Sequence, residues 1–323
     1  MGKMEPETAS FEIKFAGMNQ VPAISVVICT YNRQKFIGAC LECLSKQTMA
    51  PNDWEVIVVD NASTDQTASI VQEFLAVHPQ LPFRYVHEAS KGLSFARNRG
   101  IAEARADIVT FIDDDAEAVP HFVATILSFM QQHPEAAGVG GRVIPKYSEK
   151  PEPKWMNKFL NGYIGKVDHG GAPRLFTGKM KYPIGCNMTY RKNLMLQAGG
   201  FNNQLSFRGD DKHIFYVVTR LNPNVYYLHE ALVHHNIDAN RLSFDYFKKL
   251  FLITGHEERK RVMSEKGSLA VAKKAIEYLA KFGVSLAIWL LYTLGGHESK
   301  GRYTMYSQWF TLLGFLKKEV FVR

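Results

Sequence analysis

The sequence predicts an α/β fold in which helices flank a mostly parallel sheet and a helical extension follows at the C-terminus. Short β-branched runs alternate with helical periodicity through the first half of the chain, which is typical of βαβ units with right-handed crossovers. The 323 residues exceed one minimal domain, so one large α/β domain with an appended segment is expected. With 46% hydrophobic and 22% charged residues, the composition is that of a folded globular protein.

Four short apolar runs in the first half are predicted strands, and each precedes a segment with helical periodicity. The strands are expected at 23–28, 55–59, 83–86 and 107–112. The helix after the second strand is predicted to begin with a capping box between Ser63 and Gln66. The helix after the third strand is expected around 96–105.

The second half has a weaker pattern. Strand character is present at 139–144 and returns at 186–190. Between them, residues 146–176 are rich in Pro, Gly and Lys, and an irregular segment of this length is usually functional or mobile. Helices are predicted from Ser268 towards the C-terminus.

The basic excess is confined to the last quarter of the chain. The formal net charge is +8, and residues 241–323 carry 15 basic against 7 acidic residues, whereas 1–240 carry 24 of each. With Lys273 and Lys281 on one helical face, this extension is predicted to contact an anionic membrane peripherally through 268–323. The alternative is that its helices pack on the main domain or on a second subunit of an oligomer.

Several classes of protein are disfavoured. The first 20 residues lack an apolar signal segment, and the longest uncharged apolar run, 282–294, falls short of the roughly 18–20 residues that span a bilayer. Four cysteines with a single Cys-x-x-Cys pair fit a reducing compartment rather than a structural zinc site. We therefore expect a cytoplasmic protein, with peripheral contact on the cytoplasmic face of a membrane as the accompanying hypothesis. No nucleic-acid-binding module, P-loop or dinucleotide motif is recognisable.

Polar residues follow each of the four predicted strands, where ligands of open parallel sheets bind. One crevice would be lined by Asp60, by three cations, and by the consecutive aspartates 113–115; the cations are Arg33, Lys91 and Arg97. Adjacent carboxylates repel one another, and a divalent cation would offset that repulsion. Mg²⁺ and Mn²⁺ prefer carboxylate oxygen and keep open positions for substrate phosphates, so this pattern suits a phosphate shared with a metal ion.

The succession of motifs over 21–246 resembles the family 2 glycosyltransferases of the GT-A fold. The segments that carry the resemblance are SVVICTYNR, VIVVDNASTDQT, LSFARNRGI, VTFIDDDAEAVP, IGCNMTYRK, AGGFN and RGDDKHI. It implies a GT-A domain at 21–246, with a nucleotide-sugar half at 21–145 and an acceptor half at 146–246. An N-terminal tail at 1–20 and a basic helical extension at 247–323 would flank this domain.

The resemblance implies inverting transfer of a sugar, assisted by Mg²⁺ or Mn²⁺. The donor would be a nucleotide-diphosphate sugar, foremost a UDP-sugar. The acceptor would be a hydroxyl of a cell-surface polysaccharide or other glycan, or of a lipid-linked acceptor. A nucleotide-sugar-binding protein without turnover and a nucleotidyltransferase are the competing interpretations.

The resemblance also assigns donor-side residues. Asp60 would receive the base with Asn61 beside it, and Asp115 would bind the metal of an Asp-x-Asp motif. Either Asp113 or Asp114 would contact the ribose. The other residues expected at the nucleotide and its diphosphate are Thr30, Tyr31, Arg33, Lys91 and Arg97.

On the acceptor side, the resemblance implies roles for Asn187 and Arg191. The acidic pair is Asp210 and Asp211, and by register Asp211 is the general base that takes the proton of the attacking hydroxyl. The choice between the two stays open, because the family usually has Glu at the first position.

A histidine completes the metal site in the family's Val-x-His motif, which ends in an arginine. His235 fits that register here, ahead of Arg241, and His234 is its neighbour. Adjacent residues of a strand point to opposite faces, so only one of the two histidines can be a ligand.

Overall fold

The computed structural model describes residues 21–177, 180–205 and 209–317, and the predicted N-terminal tail lies outside these ranges. Helices cover both faces of a nine-stranded sheet, and two long helices follow it. The first strand shows why the sheet is buried on both faces. Ile24, Val26 and Ile28 belong to one hydrophobic core, whereas Val27 belongs to the core on the opposite face.

The strands form one sheet in the order β3-β2-β1-β4-β8-β6-β9-β5, with β7 beside β9. The strands β3, β2, β1 and β4 are parallel, β6 is parallel to β9, and β8 is antiparallel to both of its neighbours. Their bounds are β1 Ile24–Thr30, β2 Trp54–Asp60, β3 Phe83–His87, β4 Ile108–Asp113, β5 Ala116–Ala118, β6 Gly138–Tyr147, β7 Arg174–Leu175, β8 Met188–Arg191 and β9 Val225–Ile237.

The helices alternate with these strands in the first half, as the periodicity predicts. Their bounds are α1 Ile37–Ser45, α2 Thr67–Val77, α3 Leu93–Glu103, α4 Phe122–Gln132, α5 Lys192–Gln197, α6 Asp210–Leu221, α7 Phe244–Leu294 and α8 Glu298–Leu316. Three short 3₁₀ turns lie at Pro51–Asp53, Lys158–Tyr163 and Asn240–Leu242. The predicted α/β class, with its mostly parallel sheet and helical extension, is confirmed.

The start of α2 differs from the prediction. The capping box between Ser63 and Gln66 was wrong, because the helix begins at Thr67 and Gln66 makes no side-chain cap. The Asp65 carboxylate accepts from the Thr67 N–H at 3.0 Å instead, and the Ser63 hydroxyl accepts from the N–H of Asn32 at 3.0 Å. Ser63 is therefore used to join two loops rather than to begin a helix.

The long strand β9 determines where the second half of the chain meets the first. It pairs with β6 along its length and with the short strand β5 at its far end, where His235 lies opposite Ala116. The N–H of Asn236 donates to the carbonyl of Asp115 at 2.8 Å. Residues 121 positions apart are thereby placed side by side at the carboxyl end of β4.

The C-terminal extension is a hairpin of α7 and α8. Ser243 caps α7, and a break in the helix at Gly267 (φ 76°) comes directly before the residue at which the sequence predicts helices to begin. The predicted boundary between 246 and 247 falls in the first turn of α7. Trp155, from the irregular segment 146–176, stacks on Tyr303 of α8 with ring centroids 4.4 Å apart. The hairpin is therefore joined to the rest of the protein by a shared aromatic core.

By length and composition, α7 can cross a membrane, and only 11% of its most apolar 18-residue window is buried. The uncharged run 282–294 alone falls short of a span, as expected, but the helix that contains it does not. The exposed large apolar residues of α7 beyond its break are Leu269, Ile276, Leu279, Val284, Leu286, Leu290, Leu291 and Leu294.

The contact between α7 and α8 depends on glycine at close approaches, which yields a test of the fold. A Cβ on Gly255 would clash with the carbonyl oxygen of Thr311 and the backbone nitrogen of Phe315. We expect Gly255→Ala to lower the free energy of unfolding by about 1–3 kcal/mol, because backbone atoms have to move. Chemical denaturation measures this change.

Gly283→Ala is the matched control, since a Cβ there meets nothing within 4 Å. It is expected to raise the free energy of unfolding by about 0.5–1 kcal/mol through helix propensity. Equal effects of the two substitutions would contradict the close packing of α7 on α8.

Candidate active site

Two loops at the carboxyl ends of β1 and β2 are joined by hydrogen bonds. The Asn32 carboxamide oxygen accepts from the Thr64 N–H at 2.7 Å, and the Arg33 N–H donates to the Thr67 hydroxyl at 2.8 Å. Asn32 has a positive φ of 53°, a conformation that asparagine tolerates better than most residues. These bonds give the loop after β1 a defined shape, from which Tyr31 projects with 46% of its surface exposed.

Asp60 and Asn61 lie at the end of β2 and are buried. The Asp60 carboxylate accepts from the Tyr85 hydroxyl at 2.7 Å and from the Ser63 N–H at 3.0 Å. Burial and this bond raise the pKa of Tyr85 to about 12, so the phenol stays a donor. The Asn61 carboxamide oxygen accepts from the Gly92 N–H at 2.7 Å. Both residues hold the surrounding loops, and the contact of Asp60 with a base stays a prediction.

The predicted cations of the crevice have different surroundings. The Lys91 ammonium lies 5.7 Å from the centre of the Tyr31 ring, on the exposed side of the crevice. Arg33 is one-third exposed and reaches Asp114 Oδ1 at 3.4 Å and Asp115 Oδ2 at 3.6 Å. Lys91 and Arg33 thus line the crevice at two depths.

The three consecutive aspartates, which the sequence analysis singled out for their mutual repulsion, differ in environment. Asp113, the last residue of β4, keeps a side chain that is 38% exposed, whereas the side chains of Asp114 and Asp115 are buried. Burial raises the pKa of Asp114 to about 7, against the opposing effect of Arg33. Near neutral pH, Asp114 therefore exists partly as a neutral acid.

Asp115 lies at the centre of a group of nitrogen atoms. Its Oδ2 is 2.6 Å from Arg241 Nη2, and its Oδ1 is 3.2 Å from His235 Nε2. Burial by itself would raise the pKa of Asp115, but the guanidinium groups of Arg241 and Arg33 hold it below its ordinary value. Asp115 is therefore ionised throughout the physiological pH range.

His235 is oriented as a metal ligand would be. Its Nδ1 lies 3.0 Å from the carbonyl oxygen of Ile164, which can only accept, so Nδ1 carries the proton and Nε2 carries a lone pair. A Cβ on Gly165 would come within 3.2 Å of Nδ1, so glycine permits the close approach of this backbone to the ring. Of the two neighbouring histidines, His235 is thus the one that points to Asp115.

These groups fit a divalent cation. Ligand atoms of Asp113, Asp115 and His235 lie within 4.8 Å of one another, and they form the one such group among the described residues. Asp115 Oδ1 is buried without a hydrogen-bond partner there, as a carboxylate oxygen aimed at a cation would be. Two carboxylates and an imidazole suit Mn²⁺ or Mg²⁺, with positions left for phosphate oxygens.

Arg97 joins this cluster to the N-terminus of α6. The buried guanidinium pairs with Asp210 through Nη1 and lies 3.4 Å from Asp113 Oδ1 through Nη2. Asp211, the next residue, is half-buried and accepts from the N–H of Lys212. Asp210 is therefore committed to Arg97, and Asp211 is the more available of the two carboxylates.

The residues predicted on the acceptor side are used to hold backbone. The carboxamide nitrogen of Asn187, which is buried, donates to the carbonyl oxygens of Ala231 at 2.8 Å and Arg142 at 3.1 Å. Arg191 donates to three carbonyl oxygens at the C-terminal end of α4 and beyond it. Both residues connect elements of the fold, and their role towards an acceptor stays a prediction that these contacts do not support.

Three features of the site were not predicted. They are the contacts of Arg241, the bond from Tyr85 to Asp60, and the Ile164 carbonyl that orients His235. Arg241 had a signal in the sequence, as the arginine that ends the histidine motif. The other two had none, because Tyr85 reads as a strand residue and Ile164 acts through its backbone in an irregular segment.

The comparisons with protein families and with known relatives identify the family of this chain. The model of Glycosyl transferase family 2 matches residues 25–197. The chain is 23% identical over 246 residues to the glucosyl-dolichyl phosphate glucuronosyltransferase of Haloferax volcanii, a match that covers 73% of this chain and 76% of that protein. It is 31% identical over 128 residues to the poly(ribitol-phosphate) beta-N-acetylglucosaminyltransferase TarS of Staphylococcus aureus, covering 38% of this chain and 22% of that one.

Solved structures with the same fold include two glycosyltransferases. TarS 1–349 of S. aureus in complex with UDP superposes with a TM-score of 0.53 at 17% identity, covering 90% of each chain. The mannosyltransferase PcManGT of Pyrobaculum calidifontis, in complex with GDP-Man and Mn²⁺, gives 0.57 at 19% identity, covering 88% of this chain and 86% of that one. At this level of identity the likeness shows the fold alone.

The histidine pair provides a test of the metal site. We expect His235→Ala to raise the dissociation constant for Mn²⁺ at least about tenfold, the loss that even outer-shell partners of metal sites show. Electron paramagnetic resonance of free Mn²⁺ measures it. His234→Ala is the control, because His234 lies opposite Glu117 in the pairing of β5 with β9. Equal losses in both variants would show that neither histidine is a ligand.

Proposed function

Because the chain belongs to glycosyl transferase family 2, we propose that it transfers a sugar from a UDP-sugar to an acceptor hydroxyl by a single displacement that inverts the anomeric centre. One observation carries the mechanism. Arg97 contacts both Asp210 and Asp113, and so holds the N-terminus of α6 against the aspartates. This contact supports the proposal that Asp211, the next residue of α6, acts beside the candidate metal ligands.

The donor would lie across the loops after β1 and β2. The exposed ring of Tyr31 offers a stacking surface for the base, and Asp60 offers carboxylate oxygen to the N3–H of uracil. The ribose would contact Asp114, which as a partly neutral acid can both donate and accept. Lys91 and Arg33 would bind the diphosphate, whose oxygens match their N–H groups.

The metal would be held by the Asp-x-Asp pair Asp113 and Asp115 and by His235. When bound, Mn²⁺ or Mg²⁺ would supply positive charge to the departing diphosphate. The protein's own part is to keep the ligands ionised and oriented. Arg33 supports this by adding positive charge beside Asp115, and the Ile164 carbonyl by fixing the ring of His235.

Asp211 would remove the proton of the acceptor hydroxyl as its oxygen attacks the anomeric carbon. A carboxylate suits this task when no cation holds it, and Asp211 makes no ion pair with another described residue within 4.0 Å. Asp210, in contrast, is held by a cation. Its pairing with Arg97 disfavours protonation of the Asp210 carboxylate. This difference in surroundings supports Asp211 over Asp210 as the base.

The two carboxylates can be tested by matched substitutions. We expect Asp211→Asn to lower kcat by about 10²- to 10⁴-fold, the usual contribution of a general base, with donor binding retained. Asp210→Asn should act mainly on stability, lowering the free energy of unfolding by about 3–5 kcal/mol because Arg97 loses its buried partner. Steady-state kinetics, calorimetric donor binding and chemical denaturation separate these effects. Full activity of Asp211→Asn would exclude this residue as the base.

The reaction products distinguish the proposal from its rivals. A UDP-sugar that is consumed with release of UDP, and a product of opposite anomeric configuration by nuclear magnetic resonance, are expected. A nucleotidyltransferase would release pyrophosphate, and a binding protein without turnover would release neither. A panel of UDP- and GDP-sugars with Mn²⁺, read by thermal stabilisation, identifies the donor because a tight ligand raises apparent stability by mass action.

For the acceptor we propose a glycan under construction on a lipid carrier, at the cytoplasmic face of a membrane. The name of the Haloferax volcanii relative contains a dolichyl phosphate, which is a lipid. In this chain, α7 carries an exposed apolar stripe beyond Gly267, and the whole net charge of +8 lies in the same quarter of the sequence. An apolar stripe beside basic residues is the combination that binds anionic lipid.

Binding to vesicles tests this surface. We expect the triple variant Ile276→Ser, Leu290→Ser and Leu294→Ser to lose most of its binding to vesicles of phosphatidylglycerol and phosphatidylcholine in a flotation assay. The control replaces Val77 and Leu221, which are equally exposed apolar residues of α2 and α6, by serine. Unchanged flotation of the triple variant would reject membrane binding by this surface. A change from dimer to monomer instead of a loss of flotation would favour a subunit interface.

A further inference from the structure

Arg241 makes contacts that a metal ion would also need. Its Nη2 lies 2.6 Å from Asp115 Oδ2, and its Nη1 lies 3.0 Å from His235 Nε2. The guanidinium therefore bridges two of the three groups that fit a divalent cation. A side chain that only supported the site would be expected to contact atoms of Asp115 and His235 other than the metal-ligand atoms.

The chemistry of the imidazole makes this competition unavoidable. A neutral ring has one nitrogen that donates and one that accepts, and Nδ1 is committed to donation by the Ile164 carbonyl. The single lone pair of His235 Nε2 accepts the N–H of Arg241, because arginine has no acceptor atom. A metal ion would need the same lone pair, so it can bind His235 only if Nη1 leaves.

The other ligand atom stays available. Asp115 Oδ1 is buried, has no hydrogen-bond partner among the residues that the structure describes, and lies 3.2 Å from His235 Nε2. Adjacent ligands at about 2.2 Å from an octahedral ion are separated by about 3 Å, so these two atoms already have the spacing of a metal site. Removal of the guanidinium would thus complete a site whose ligands need little further movement.

The backbone of Arg241 is held while its side chain can turn. The residue lies in the 3₁₀ turn between β9 and α7, where its carbonyl accepts from the Tyr163 hydroxyl and its N–H donates to Asp238 at 2.9 Å. Rotation of the side chain alone moves the guanidinium off Asp115. A planar guanidinium matches the oxygens of a phosphate group, and a diphosphate would be the nearest anion that can receive it.

We propose that Arg241 is a counter-cation that competes with the metal for Asp115 and His235 and is transferred to the donor diphosphate when metal and nucleotide bind together. This inference rests on the proposed function, since it presumes that Asp113, Asp115 and His235 hold a metal. It makes the binding of metal and of nucleotide mutually dependent. The metal releases the arginine for the diphosphate, and the diphosphate holds the arginine away from the metal ligands. Such coupling is reciprocal by necessity.

The test measures Mn²⁺ binding without nucleotide, by electron paramagnetic resonance of the free ion. We expect Arg241→Gln to lower the dissociation constant for Mn²⁺ at least tenfold relative to wild type. The same variant should bind UDP at least tenfold more weakly when Mn²⁺ is saturating, by calorimetry. Opposite changes in two affinities are not produced by a general loss of structure.

Arg33→Gln is the control for charge. It removes one positive charge near Asp115 Oδ2, at 3.6 Å, without removing a contact to His235. If only the removal of a positive charge mattered, the two variants would gain the same affinity for Mn²⁺. Competition for the ligand atoms instead predicts a gain in Mn²⁺ affinity below threefold for Arg33→Gln. Should Arg241→Gln fail to fold, Arg241→Lys retains the charge but cannot bridge both groups, and it should show an intermediate gain.

The outcomes separate the inference from the function on which it rests. An unchanged or weaker Mn²⁺ affinity of Arg241→Gln, in a protein whose wild type binds Mn²⁺ with UDP, overturns the inference alone. Absence of Mn²⁺ binding in wild type and variant, with and without UDP, overturns the metal-assisted function and the inference with it. Asp115→Asn, which removes a ligand, should abolish Mn²⁺ binding in either background.

Discussion

The site is organised around one ionised carboxylate that the fold removes from water. Asp115 is buried, and an isolated buried carboxylate is so costly that it would normally become neutral. Here Arg241, Arg33 and His235 surround it, and the two guanidinium groups keep its pKa low. Such a site needs positive charge at all times. Arginine side chains supply it here, and we propose that a metal ion can replace the one from Arg241. The aspartates, the histidine motif and its arginine are therefore parts of one electrostatic arrangement.

The sheet topology creates this arrangement, because no local segment contains it. In the parallel half of the sheet, β4 ends at Asp113. The chain then turns into β5, which pairs with β9. That pairing is antiparallel and places His235 opposite Ala116, one residue beyond Asp115. A slip of one residue would direct His234 to the cluster, since the side chains of a strand alternate. The register of a three-residue strand thus determines which histidine faces the aspartates.

The helix α6, which carries Asp210 and Asp211, is held from two sides. At its N-terminus, Asp210 pairs with the buried Arg97, and two residues further on Lys212 pairs with Glu258 of α7 at 2.7 Å. His213 reaches Glu265, also of α7, at 3.0 Å. The first segment of α7 therefore braces the helix that carries Asp211, and the exposed apolar stripe belongs to the second segment of the same α7. The extension is in this sense part of the site's support rather than an appendage to it.

The sequence alone predicted the α/β class, the four parallel strands and the loops that line the crevice, because burial on both faces and helical periodicity are local patterns. The order of the motifs indicated the family, which the comparisons confirmed. The sequence did not predict that Asp114 and Asp115 would have opposite pKa shifts, or that Arg241 would contact both Asp115 and His235. Identical residue types differ only by their neighbours, and those neighbours come from β9 and the turn after it. Such long-range contacts depend on strand register and side-chain packing, which only the tertiary structure decides.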